Sequence, residues 1–274
     1  LSGLRLRRGY QRQLRAVMAS SIRRVVSLTV ALMGLLAGSF AVAAEAPAGW
    51  QHTVFIYGMG ASIDGEAQIG PIEVAVDVGM SDVFDALEFG AMAAYRADNG
   101  AWSFTADATF MGLGGHGTHD TPLGGQVKGE IDVDQITLMG TFGRRWTDHL
   151  EFLFGLAYVD LSMDLSVQSG SGGPLDVAAS RDADWIDPTL GLRYERPIGD
   201  DWRVVLRGDI GGFGVGSDFM YHLLAGAGWQ ASDAVNLFLG YRIISYDYEE
   251  GQNQNYLRFD LTEQGPMLGV GISF

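Results

Sequence analysis

Charged side chains recur at alternate positions in several segments of this 274-residue chain. In the segment 202–210, Arg203, Arg207 and Asp209 share one face of an extended strand, and the opposite face is apolar. Such a row of charges can form a constriction that selects small solutes, or ion pairs that fill a narrow interior, and we favour the ion pairs. The predicted network comprises Arg96, Asp107, Asp132, Asp134, Arg193, Glu195, Arg203, Arg207, Asp209, Arg242, Arg258 and Asp260.

Two other patterns bear on metal binding and catalysis. His116, His119 and Asp120 could hold a divalent metal, but their surroundings are rich in glycine and no further ligand is evident. The chain offers no assignable Ser–His pair and no Asp-x-His segment, and His222 is predicted to face the wrong depth or to be isolated. We therefore predict no metal site, no cofactor and no catalytic residues.

The first 44 residues have the pattern of a secretory signal peptide. They contain seven arginines and no acidic residue, and an apolar run at 25–36 is followed by small residues. The run is too short for a spanning helix, which needs about 20 residues. We interpret residues 1–17 as an upstream extension, with the true start at Met18, and 45–274 as the exported domain.

The charge balance excludes one class of partner. Of the 18 basic residues, seven lie before residue 45, which leaves 11 against 33 acidic residues and a formal charge of −22. A nucleic-acid partner is therefore not expected.

Alternation of apolar and polar residues with period two predicts an all-β protein. The phase of this alternation changes near Asp134 and Pro266, where we predict β-bulges. Ten strands are predicted, roughly at 51–63, 88–97, 101–111, 129–146, 149–168, 183–196, 202–213, 218–230, 235–248 and 257–274.

Short and long connections alternate between these strands. Asn99-Gly100 is a strong hairpin signal, and short turns alternating with longer loops are typical of a transmembrane barrel. We predict a single antiparallel up-and-down barrel of ten strands, with eight or twelve as alternatives. Residues 64–87 are expected to form an outer loop or a lumen plug; if 72–78 is a barrel strand, the count becomes twelve.

Most tryptophans lie near the predicted short turns. The indole ring is apolar and its N–H requires a partner, so tryptophan favours the membrane interface. The predicted interface aromatics are Trp50, Trp102, Trp146, Trp202 and Trp229.

The last predicted strand ends Met267-Leu268-Gly269-Val270-Gly271-Ile272-Ser273-Phe274. This alternating ending on Phe274, together with the leader and the turn pattern, resembles Gram-negative outer-membrane β-barrels of the opacity-protein-like type. The resemblance implies localisation in the bacterial outer membrane, contact with its lipid and lipopolysaccharide, and reading of Phe274 by the barrel-insertion machinery. A monomer is expected.

Three functional hypotheses follow. The first is a structural or surface-exposed barrel, with or without passive passage of small solutes. The second is a narrow gated porin-like channel, and the third is a barrel enzyme, either a protease or a lipid-modifying enzyme.

Overall fold

The computed structural model describes residues 49–70, 72–120, 126–169, 177–253 and 256–274. The predicted signal peptide, residues 1–44, lies outside this described part, within which no helix is long and apolar enough to cross a membrane. The described strands are β1 (Gln51–Met59), β2 (Ser62–Ile69), β3 (Ile72–Val78), β4 (Leu87–Asp98), β5 (Trp102–Asp120), β6 (Gln126–Arg145), β7 (Leu150–Ser169), β8 (Val177–Ile198), β9 (Trp202–Gly212), β10 (Phe219–Gln230), β11 (Val235–Glu250) and β12 (Leu257–Ser273), and the helix α1 is Met80–Ala86.

The sheet closes on itself. From β4 to β12 each strand pairs antiparallel with the next, and β1 pairs with both β4 and β12. The result is the predicted ten-stranded up-and-down barrel, in which every strand of the wall has a partner on both sides. We call the end with the connections 99–101, 146–149, 199–201 and 231–234 the short-turn end, and the opposite end the long-loop end.

β2 continues β1 along the same edge of β12. Met59 lies opposite Met267 and Ser62 opposite Gln264, so the two strands keep one register. The interruption between them faces Pro266, which has no N–H to donate, although the Gly60 amide still donates to the Pro266 carbonyl over 2.9 Å. The alternative of twelve barrel strands is therefore wrong, because β1 and β2 occupy one position in the wall.

The predicted β-bulges are also wrong. The pairing of β6 with β5 and β7 runs through Asp134 without a shift, and β11 pairs with β12 through Pro266 in one register. The change of phase in the sequence has another cause, which is the inversion of the two wall faces described below.

Residues 64–87, for which an outer loop or a lumen plug is predicted, contain most of a hairpin and a helix. β3 pairs with β2 from Ile72 to Val78, and α1 leads from β3 into β4. Val83 of α1 is buried in the apolar cluster of the lumen. This segment thus extends the wall at the long-loop end and also contributes a side chain to the interior.

The two faces of the wall exchange character along the barrel axis. On the outer face of β7, Phe154 and Leu156 are 45% and 56% exposed, whereas Ser162 and Asp164 occupy the same face nearer the long-loop end. On the inner face, Glu151 near the short turn gives way to Leu161, which is 1% exposed. The short-turn half thus has an apolar exterior suited to lipid, and the long-loop half has the polar exterior and apolar interior of a water-soluble barrel.

Four of the predicted interface aromatics border the apolar exterior at the short-turn end. Trp102, Trp146, Trp202 and Trp229 are exposed, and Trp202 stacks on Trp229 across the β9–β10 pair at a ring distance of 6.2 Å. Trp50 immediately precedes β1 at the same end. Exposed aromatic residues in this position are typical of the border of the lipid-facing surface in transmembrane barrels.

Candidate functional site

Eight of the twelve residues predicted for the lumen network lie on the inner face of the barrel. Six of them line one cavity. The other two are carboxylates that accept hydrogen bonds from lining arginines, Glu195 from Arg193 and Asp209 from Arg207. The eight are Arg96, Asp107, Arg193, Glu195, Arg203, Arg207, Asp209 and Arg242.

The structure instead places Asp132 and Asp134 on the outer face of β6. They alternate with the buried Met139 and share a face with the exposed Phe142. Val133, which lies between them on the opposite face, packs against the apolar cluster of the lumen, so the charged face is the one in contact with water. Alternation alone had suggested the opposite orientation.

Arg258 and Asp260 are likewise on the outer face, here of β12. They alternate with Phe259, which is buried in the lumen, and share a face with the exposed Val270. Arg258 pairs with Asp260 over 2.9 Å and with Glu66 of β2 over 3.1 Å. This ion-pair group belongs to the polar exterior of the long-loop half.

Tyr57, Asp107 and Arg242 form a hydrogen-bonded triad across the lumen. Tyr57 Oη donates to Asp107 Oδ2 over 2.7 Å, and Arg242 Nη1 donates to Tyr57 Oη over 2.9 Å and to Asp107 Oδ1 over 3.3 Å. The three residues come from β1, β5 and β11, none of which pairs with another of the three. The triad therefore ties separated parts of the wall together.

Asp209 connects a second group, formed by Arg207 and His222. Arg207 donates from Nε and Nη2 to the two carboxylate oxygens over 2.7 and 3.1 Å, and His222 Nδ1 lies 3.0 Å from Oδ2. Because a carboxylate only accepts, the imidazole proton is on Nδ1 and Nε2 is left without a partner among the described residues. His222 is thus not isolated: the β9–β10 register places it directly opposite Asp209.

Near the short-turn end, two carboxylates missed in the sequence hold the arginines. Asp98 Oδ2 lies 2.7 Å from both Arg96 Nη2 and Arg145 Nη2, and Glu151 Oε2 lies 3.1 Å from Arg96 Nη2. Asp98 lies in the predicted hairpin turn between the strands at 88–97 and 101–111. Glu151 shares its strand face with apolar residues of the lumen, and its alternation with the exposed Phe152 was the signal that could have identified it.

Arg193 and Arg203 share Glu195 in a fourth group. Arg193 Nε donates to Glu195 Oε2 over 3.2 Å, and Arg203 Nε lies 3.8 Å from Oε1 of the same carboxylate. Arg203 also donates to Asn236 Oδ1 over 3.0 Å. The inner wall of the short-turn half is therefore a chain of ion pairs rather than a row of free charges.

A cavity of about 120 Å³ remains among these groups. Its polar lining consists mainly of arginines, together with Asp107 and His222, and Met139, Phe55 and Phe238 contribute apolar surface. The carboxylates that neutralise Arg96, Arg193 and Arg207 do not line it.

Towards the long-loop end the lumen is filled by side chains. Trp185 of β8 stacks on Tyr248 of β11 at a ring distance of 4.2 Å and contacts Phe259 of β12 at 6.1 Å. Because β8 does not pair with β11 or β12, these contacts cross the interior. Leu161 and Met220 complete the apolar cluster from other strands. This cluster is not among the features predicted from the sequence.

Metal binding has no support from the described side chains. Among them, no group of three or more His, Asp or Glu residues is arranged to hold a metal ion. The side chains of His116, His119 and Asp120 lie outside the described set.

Comparisons with known proteins give structural likeness only. No protein-family model and no curated protein matches the chain. Similar solved structures include the outer membrane protease OmpT from Escherichia coli (10% identity, 82% of this chain and 97% of that chain, TM-score 0.46). Others are the attachment invasion locus protein Ail of Yersinia pestis (11%, 82% and 99%, 0.36) and Neisserial surface protein A (12%, 83% and 98%, 0.32). Such values transfer no activity to this chain.

Proposed function

We propose that the chain is an outer-membrane β-barrel of structural or surface type whose lumen is closed to solutes. The apolar cluster around Trp185 supports the closed lumen, because its contacts reach across the barrel between unpaired strands. Tight packing of this kind among the described residues argues against a continuous path for hydrated ions. This is the observation on which the proposal rests.

The outer surface supports the membrane assignment. The short-turn half has an apolar exterior with exposed tryptophans at its border, and a closed antiparallel wall satisfies its backbone groups without water. With the signal-peptide pattern of residues 1–44, this favours the outer membrane of a Gram-negative bacterium. We propose that lipid and lipopolysaccharide surround the barrel and that the protein is a monomer.

Phe274 is proposed as the residue read by the barrel-insertion machinery. It is 55% exposed, and its backbone pairs with His52 of β1 at the seam that closes the barrel. An exposed terminal aromatic at the last strand is accessible to a partner before the seam forms.

Planar-bilayer recording tests the closed lumen. We expect the wild-type barrel to give no steady single-channel steps, and we expect Trp185→Ala combined with Phe259→Ala to open a path, because both substitutions remove core volume. The outer-face variant Val270→Ala is the control and is expected to stay silent. Steady steps in the wild type would refute the proposal.

A narrow gated channel is the second candidate. The arginine-lined cavity in the short-turn half favours it, because charged constrictions select ions in pores. Under this hypothesis the wild type conducts, and substitution of Arg203 and Arg207 by Gln abolishes the steps. The same recording therefore distinguishes the two candidates.

A further inference from the structure

Basic residues of the barrel are concentrated around one cavity. After residue 44 the chain has 11 basic residues against 33 acidic ones. Five of the 11 line the luminal cavity described above, and Asp107 is the one carboxylate among its lining residues. The five are Arg96, Arg193, Arg203, Arg207 and Arg242. Nearly half of these cations thus surround a cavity of about 120 Å³.

The cavity brings like charges close together. Arg193 of β8 and Arg207 of β9 are directly opposite each other in the register, and both line the cavity. Like charges in this position destabilise a sheet. Each arginine has a carboxylate partner on its own strand, two residues away, but an anion between them would relieve the repulsion that remains.

Some arginine N–H donors in this region have no acceptor within the described part of the protein. Arg193 uses Nε and Nη2 for Glu195, and Arg207 uses Nε and Nη2 for Asp209 and Met139, so Nη1 of each has no hydrogen-bond acceptor among the described residues. Arg242 Nε is buried without a partner in the same part of the structure. A buried donor such as Arg242 Nε normally has a partner, which can be a bound ion, and the two Nη1 groups are free to donate to the same ion.

The size and lining of the cavity define the class of ligand. An engineered cavity of roughly 150 Å³ holds benzene, so this one accommodates a small ion of a few heavy atoms. Guanidinium groups bind oxyanions through paired N–H donors. We propose that the lumen contains a binding site for a small oxyanion such as phosphate, with Arg193, Arg207 and Arg242 as its principal donors.

Calorimetric titration of inorganic phosphate tests the site. The full barrel, folded in detergent micelles, is titrated at low ionic strength, where screening is weakest. We expect saturable binding of one phosphate per chain. The double variant Arg193→Gln, Arg207→Gln is expected to lower the affinity at least tenfold, because it removes two cations and their paired donors.

The matched control is Arg144→Gln. Arg144 is exposed on the outer face, 4.9 Å from the ring of Trp102, and its loss should change the phosphate affinity less than twofold. Folding of each variant is checked by its heat-dependent migration on gels. If the double variant does not fold, Arg207→Lys replaces it, since lysine keeps the charge and loses the planar fork, and a fivefold or greater loss is expected.

Two results would overturn the proposal: absence of saturable phosphate binding to the wild type, or unchanged affinity in a folded luminal variant. The site does not depend on the closed lumen. A conducting wild type would refute the proposed function without bearing on phosphate binding. Absence of phosphate binding would refute the site without bearing on whether the barrel conducts.

Discussion

At the scale of single residues, Asp187 shows how the interior tolerates an isolated charge. Its side chain is fully buried in the long-loop half and accepts hydrogen bonds from the amide and hydroxyl of Ser217, each over 2.7 Å. Trp185 Nε1 donates a third over 3.1 Å. Three donors compensate for the lost hydration of the carboxylate and hold the β9–β10 connection against the inner wall.

Asp187→Ala is predicted to destabilise the barrel by about 3 kcal/mol. Removal of the buried charge relieves its desolvation, but three donors lose their acceptor, and hydrogen bonds to a charged group are the stronger effect. Unfolding by denaturant in lipid vesicles measures the change. Asp218→Ala, in the same connection but exposed, is the control and should shift stability by less than about 0.5 kcal/mol. Equal effects of both substitutions would contradict this account.

At the scale of elements, one strand serves two environments without a break in its pairing. β7 pairs with β6 from Glu151 to Ser169 in one register, while its outer face changes from phenylalanine and leucine to aspartate and serine. The inner face carries the charged Glu151 near the short turn and is apolar from Leu153 to Met163. Each side chain thus meets a matching medium, and the strand needs no bulge to achieve it.

Leu156→Arg is predicted to cost about 2–4 kcal/mol of stability in a bilayer, the range for a cation near the midplane on the lipid face. Ser162→Arg is the matched control, because it lies on the same face of β7 and its hydroxyl donates to Asp182 over 2.7 Å. We expect it to change stability by less than about 0.5 kcal/mol. Unfolding from lipid vesicles measures both. Similar costs at the two positions would mean that the lipid boundary does not lie between them.

At the scale of the whole molecule, the acidic excess is carried on the outside of the long-loop half. Several carboxylates lie directly opposite one another on neighbouring strands, where like charges repel. For Asp134, burial and then the neighbouring Glu88, Asp132 and Asp164 raise the pKa above its ordinary value. The opposed pairs include Asp132 with Asp164, Asp160 with Asp184, and Asp247 with Asp260.

A pH-dependent gain is predicted for Asp134→Asn. A carboxyl group whose pKa is raised by folding contributes its full stability below its unfolded-state pKa of about 4. This stability is lost as pH rises through the folded-state pKa. The variant should therefore gain about 0.5 kcal/mol over the wild type between pH 3 and pH 7, with solvent screening keeping the effect small. Unfolding at both pH values measures it, with Asp148→Asn in a short turn as the control. A constant difference across this range would contradict the prediction.

Much of the architecture could be predicted because its signals are local. Period-two alternation marks strands, and Asn99-Gly100 and the other short turns mark hairpins, so the ten strands followed from neighbouring residues. Cross-strand partners such as Asp209 and His222 could not be predicted, because the register that pairs them is a property of two strands together. Glu151 was missed because its own strand face is otherwise apolar.

The sequence by itself determined that each strand has two unlike faces and where the chain turns. Only the tertiary structure decided which face looks inward at each height. A polar lumen inside lipid and an apolar lumen inside water produce the same alternation along one strand, and they differ only in the medium on either side of the closed wall. For this reason Arg207 lies inside and Arg258 outside, although both alternate with apolar neighbours.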